Sequence, residues 1–161
     1  MAVLPVRIYP DPALRAPTEE VTEFDDAFRV FLRDMWDTME AKDGVGLAAP
    51  QVGVSRRVIV VVLKGERHVL VNPRILEVEG EQVGEEGCLS FPEIFEKVTR
   101  PLRVVVEARD ENGDLRTITG EEFAARALSH EIDHINGKLL IDHVSPMKRH
   151  LIKRRLQKRK E

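Results

Sequence analysis

The segment Leu128–Gly137, LSHEIDHING, decides what the rest of the chain must build. Apolar residues recur at three- and four-residue steps through Phe123, Ala127, Leu128, Ile132 and Ile135. That spacing predicts a helix over 121–136, with Gly137 as its C-terminal stop. On such a helix His130 and His134 stand one turn apart on one face, so both imidazoles can meet a single ion about 2 Å away. Glu131, turned about 100° further round, need not bind the ion and can reach a water beside it. The apolar residues on either side require this helix to dock on a core. Two ligands do not complete a hydrolytic site, which usually takes three and leaves one position for water. The longer pattern H-E-x-x-H-x-x-G-x-x-H holds through Gly137 and then fails, because position 140 is Leu. The acids further on are Asp142 and Glu161. His143 lies three residues past the expected position and reads as a surface or capping residue. His68 and His150 have no motif around them.

Upstream stands the one cysteine, Cys88, which has no partner for an internal disulfide. It is core filler, a reactive thiol or a metal ligand. Its setting, between Gly87 and Leu89 in EEGCLSFPE, is polar and flexible, whereas a core cysteine more often sits in an apolar run. A thiolate beside two imidazoles makes a chemically sensible open tetrahedral set.

Working outward, YPDPALRAP near the N-terminus is rich in proline and is expected to lie extended on the surface. Thr22 can cap a helix, with Asp25 adding negative charge to its first turn. Phe24, Phe28, Phe31, Leu32, Met35 and Met39 follow at helical spacing, and Gly44 ends the run. GVGLAAPQVG (44–53) is too rich in glycine for a helix and reads as a shaped loop whose backbone can approach a ligand. RVIVVVL is a buried strand, HVLVNP and ILEVEGEQ are further strands, and EEGCLSFPE is a loop or bent strand. PLRVVVEARDENGDLRTITG reads as a hairpin turning at Asn112-Gly113. Ser145 can cap a last helix with Pro146 at its first position. The expected fold class is α+β: mixed or antiparallel sheets around a central metal-binding helix, with an N-terminal and a C-terminal helix.

The chain has 161 residues, 42% hydrophobic and 33% charged, which favours one domain that needs no disulfide. The longest fully apolar run, Val58–Leu63, is far too short for a membrane span. Charges begin within the first ten residues, so no secretory leader is expected, and the expected location is the cytoplasm. The net charge of −3 is unevenly placed: 148–161 hold eight Lys/Arg against one acid (+7), whereas 1–147 carry −10. The expected organisation is a catalytic domain over 1–147 and a basic helix or tail over 148–161.

Three stretches together, GVGLAAPQ (Gly44–Gln51), EGCLS (Glu86–Ser90) and HEIDHINGKL (His130–Leu139), resemble the motifs of the peptide deformylase family in order and spacing. PDPALR is similar to a weaker feature of the same family, and the resemblance covers nearly the whole chain. It implies removal of the formyl group from the N-terminal formylmethionine of new polypeptides. It implies Cys88, His130 and His134 as metal ligands and Glu131 as general acid–base. The Gln51 side-chain amide and the Leu89 backbone N–H would donate to the formyl oxygen. Val45 and Gly46 would border the peptide, Arg100 would lie near its path, and Phe123, Arg126 and Ala127 are candidates for the methionine pocket. For Gln51 taken alone, stabilising a turn is the simpler role. For Phe123, Arg126 and Ala127 the alternative is ordinary helix packing, and for Arg100 a surface charge. The family commonly uses ferrous iron, with zinc, nickel or cobalt able to take the site. Implied partners are formylmethionyl nascent chains and, through the basic tail, the ribosome; no membrane or DNA partner is expected. The sequence departs from the family pattern at Ser129, usually Gln, and at Ile135, commonly Leu. Competing readings are an H-E-x-x-H endopeptidase and a non-enzymatic protein with a structural metal.

Overall fold

The computed structural model describes residues 2–160. Met1 and Glu161, the outer ends of the expected domain and tail, lie outside the described residues. Helix α1 spans Asp26–Ala41, strand β1 Gly46–Ala48 and β2 Val58–Leu63. They are followed by β3 (Glu66–Glu79), β4 (Gln82–Cys88), β5 (Phe91–Arg100), β6 (Arg103–Arg109) and β7 (Leu115–Glu121). Helix α2 spans Phe123–Ile135 and α3 Pro146–Lys160, with a short 3₁₀ turn at Leu140–His143 between them. Five strands form one sheet in the order β1-β2-β3-β6-β7, and β4 and β5 form a separate two-stranded ribbon. Every strand pairing is antiparallel, so the α+β expectation resolves to antiparallel sheets. No helix among the described residues is long and apolar enough to cross a membrane.

Alternation along β2 explains the layering. Ile59, Val61 and Leu63 face α2, through Ala125, Leu128, Ile132 and Ile135. Val58 and Val60 face the opposite way, onto Phe28, Leu32, Met35 and Met39 of α1. A strand buried on both faces reads as an unbroken apolar run, and this one does. A third cluster joins the ribbon to the C-terminus: Phe91, Ile94 and Val98 pack with Leu140, Ile141, Ile152 and Leu156. Each fully buried side chain of this size contributes roughly 1.5–3 kcal/mol. Helix α2 thus lies against the five-stranded sheet with the ribbon beside it, and β1 forms the outer edge of that sheet.

Several local expectations change. The N-cap of α1 is Asp25, whose carboxylate accepts from the Phe28 N–H at 2.9 Å; Thr22 lies outside the helix. The proline-rich segment is not all extended: Pro12–Arg15 form a 3₁₀ turn that buries Leu14 completely. Leu14 is the one large apolar residue there, and the third cluster receives it. The glycine-rich 44–53 segment contains β1 and a 3₁₀ turn, Ala49–Val52. The two strands expected on either side of Asn72-Pro73 are one strand, β3. A register shift between Val71 and Arg74 takes up the proline's missing N–H. The β6–β7 hairpin forms as expected, closing with the Gly113 N–H on the Asp110 carbonyl. Ser145 caps α3, its hydroxyl accepting from the Lys148 N–H at 3.2 Å, with Pro146 at the first position.

Candidate active site

Three segments converge on α2. The ribbon delivers Cys88 at the end of β4, where the strand register slips between Gly87 and Cys88. The turn after β1 delivers Gln51, and α2 supplies His130, Glu131 and His134. The Cys88 Sγ lies 3.3 Å from His134 Nε2, which lies 3.3 Å from His130 Nε2. All three donor atoms fall within 4.8 Å of one another, a group that could hold one metal ion. The Nδ1 of His130 lies 2.9 Å from a Glu86 oxygen. An ionised carboxylate only accepts, so Nδ1 carries the proton and the Nε2 lone pair is left facing Cys88 Sγ and His134. This donor chemistry fits a divalent first-row metal ion.

Glu131 is buried, and burial pushes its carboxyl up to about 7, against the lowering effects of His130 and Arg100. Its Oε1 has no hydrogen-bond partner among the described residues. A Cβ on Gly46 would lie 2.7 Å from Glu131 Oε2, so only glycine leaves room for the carboxylate there. Gln51 takes the turn-stabilising role expected of it alone. Its Oε1 accepts from the Ala48 N–H at 3.0 Å, bracing the turn. That contact leaves Nε2 pointing to Cys88 Sγ at 3.6 Å and to the Ser90 hydroxyl at 3.2 Å.

A cavity of about 630 Å³ opens over these groups. Val45, Gly46, Leu89, Phe123, Arg126 and Ala127 all line it. Phe123, for which ordinary helix packing was the alternative, is 59% exposed and stands in the cavity wall. Arg100 is 5% exposed, so the surface-charge alternative fails; it is absent from the cavity wall and sits behind Glu86, which lines it. Its Nε and Nη2 grip both oxygens of Glu86 at 2.8 and 2.9 Å, and its Nη1 donates to Asp133 at 2.6 Å. Arg126 lines the cavity with part of its side chain and also donates from Nη1 to Glu86 at 2.5 Å.

Glu86 is the group that sequence reasoning missed. Burial alone would raise its pKa, but hydrogen bonds from Arg100 and His130 outweigh that and hold it well below the usual carboxylate range. Asp133 is likewise lowered: burial opposes, and His143 and Arg100 prevail. The signal for Glu86 lay within EGCLS, an acid immediately preceding a glycine and the candidate ligand. His143, read as a surface or capping residue, is largely buried and lies 2.8 Å from Asp133.

A buried glutamate poised near neutrality beside a Cys-His-His trio, under a cavity that can take a peptide end, is the equipment of a metal-dependent hydrolase. The family model described as polypeptide deformylase matches residues 3–150. A peptide deformylase of Acidobacterium capsulatum is 45% identical, covering 98% of this chain and 96% of the relative. The crystal structure of a peptide deformylase from Legionella pneumophila superposes with a TM-score of 0.95 at 45% identity, covering 99% of this chain and 96% of that one. The Ehrlichia chaffeensis peptide deformylase, solved in complex with actinonin, gives a TM-score of 0.96 at 36% identity, covering 99% and 98%. The chain therefore belongs to the polypeptide deformylase family. It is a metal-dependent hydrolase that removes the formyl group from the N-terminal formylmethionine of newly made polypeptides and releases formate. The endopeptidase and structural-metal readings fall with this assignment.

Proposed function

We propose that Cys88, His130 and His134 hold the ion and that Glu131 moves the proton of the deformylation step. Bound there, a divalent ion supplies Lewis acidity and brings the pKa of a water towards neutrality. The carboxylate of Glu131 takes up that water's proton and passes it to the departing amine. The Gln51 Nε2–H and the Leu89 N–H donate to the formyl oxygen as it gains charge, where one such donor is typically worth about 10²–10³ in rate. The peptide lies along Val45 and Gly46 in a strand-like manner, and the methionine side chain rests against Phe123, Ala127 and the stem of Arg126. The observation that carries this reading is the meeting of three distant segments. Gln51 Nε2 is 3.6 Å from Cys88 Sγ, which is 3.3 Å from His134.

The test is formate release from a formyl-methionyl peptide by wild type and Glu131→Gln, with metal content measured on both. The variant is expected to keep its metal and to lose about 10²–10⁴ in kcat, the usual contribution of a positioned acid–base group. Full turnover by Glu131→Gln overturns the mechanism.

The native ion is ferrous iron in this reading. A Cys-His-His set accepts several first-row ions, so metal analysis of anaerobically purified protein decides between iron, zinc, nickel and cobalt. A cytoplasmic location is part of this reading, supported by a substrate that is a chain leaving the ribosome. Residues 1–147 carry the chemistry, and the 148–161 segment is a basic appendage that packs through Ile152 and Leu156. Its exposed face presents Lys153, Arg154, Arg155 and Lys158 for contact with ribosomal RNA. Reversing those four charges and following ribosome co-sedimentation across salt concentrations tests this; unchanged binding refutes it.

A further inference from the structure

We infer that His143, outside every sequence motif, is a positioning residue for the metal-ligating imidazole of His130. The inference rests on the ligand assignment proposed above. His143 donates from Nε2 to Asp133 Oδ2 at 2.8 Å, and the same oxygen accepts from Arg100 Nη1 at 2.6 Å. Arg100 turns its other two N–H groups onto Glu86 at 2.8 and 2.9 Å, and Glu86 accepts from His130 Nδ1 at 2.9 Å. Four consecutive links, the Arg100–Glu86 one made of two hydrogen bonds, thus run from the 3₁₀ turn before α3 to the back of a ligand, each joining an acceptor carboxylate to a cationic or imidazole donor.

The chain has a fixed anchor at its outer end. Arg15 makes a bidentate pair with Asp142 at 2.8 and 3.0 Å and also donates to the Gly137 carbonyl, holding the backbone beside His143 in place. The His143 side chain then ties that turn to α2. Buried ionic contacts are worth most when complete, because a lost donor leaves its acceptor unsatisfied. Without His143, Arg100 is the one side chain among the described residues that still holds the Asp133 carboxylate, which can then turn, and Arg100 loses the fixed end against which it grips Glu86. Arg126 holds Glu86 on one oxygen only and does not replace the bidentate grip. The orientation of His130, set by its Nδ1 hydrogen bond, is what loosens.

The test compares His143→Leu with His143→Gln, whose amide N–H can donate to the same oxygen. Zinc affinity is read by competition with a chromophoric chelator, kcat and KM by formate release, and the thermal midpoint on metal-free protein. For His143→Leu, zinc affinity and kcat are expected to fall about 3- to 10-fold, less than the 10–100-fold typical of a direct outer-shell partner. KM stays unchanged, and His143→Gln recovers to within about twofold on the same argument. Wild-type zinc affinity and kcat in His143→Leu overturn the inference. So does failure of His143→Gln to recover, or a metal-free midpoint lowered in proportion to the kinetic loss. Cys88→Ser keeps the two claims apart: if it binds zinc as tightly as wild type, the ligand assignment itself is wrong.

Discussion

At Glu122 the backbone takes φ 53° and ψ −117°, a conformation that side chains with a Cβ rarely adopt. Its N–H donates to the Leu102 carbonyl, and its own carbonyl accepts from Gln82 and from the Arg126 N–H, so the strain is locked in at the entrance to α2. Such residues cost about 1–3 kcal/mol each. Glu122→Gly is therefore expected to raise stability by about 1 kcal/mol, after the extra chain entropy of glycine is offset. Urea unfolding with an unchanged slope checks it. Gly46 gives the opposite outcome. Gly46→Ala pushes a methyl into Glu131 Oε2, so kcat should fall more than tenfold while the thermal midpoint moves little. Among single residues, His130, Glu131 and His134 were legible as one group because helical spacing brings them together, whereas Cys88 was singled out by its polar setting and by the EGCLS motif. Glu86, Arg100 and Asp133 were not legible as a unit. Their contacts join positions 14 and 33 apart in sequence, and a buried ion pair leaves no periodic trace.

At the level of elements, the helices were read correctly as cores and imprecisely at their ends. Asp25 caps α1, so Asp25→Ala should cost about 1 kcal/mol, while Thr22→Ala should cost much less. Parallel denaturation of the two variants separates them. The clasp between Arg15 and Asp142 gives a pH-dependent case. Burial would raise the Asp142 pKa, but the Arg15 contact and the Leu139 N–H lower it below the ordinary value. A depressed carboxylate adds stability that is present above its unfolded pKa and is lost as pH falls through its folded pKa. Asp142→Asn should thus cost about 0.5–1 kcal/mol at neutral pH, given the solvent exposure of Arg15. The gap from wild type should close in acid below about pH 4; a gap independent of pH would contradict the assignment. Strand β2 was plain from composition, because both of its faces are buried. The single long β3 was not, since Asn72-Pro73 reads locally as a break. Only the tertiary fold shows that Asn72 is fastened to Val21 by two hydrogen bonds.

For the whole molecule, an ion held by the proposed ligands would brace the fold as well as supply its chemistry, because those ligands come from the ribbon and from α2. Zinc at 100 times its Kd should stabilise the fold by about 2.7 kcal/mol. Thermal melts with and without added zinc should show the rise in wild type and its loss in Cys88→Ser. The overall architecture was legible because each layer has its own apolar pattern; the way the ribbon closes over α2 was not, because that closure depends on long-range pairs. The three-residue β1, at the rim of the five-stranded sheet, has a final consequence. An unpaired rim is usually an aggregation hazard, and shortness is one protection against it. Here its first residue, Gly46, lines the cavity, where the main-chain recognition proposed above would be indifferent to the side chains that follow the first residue of a substrate. On the binding mode proposed above, an enzyme that must serve almost every protein a cell starts to make would gain breadth of clientele from the exposed backbone at the head of this strand.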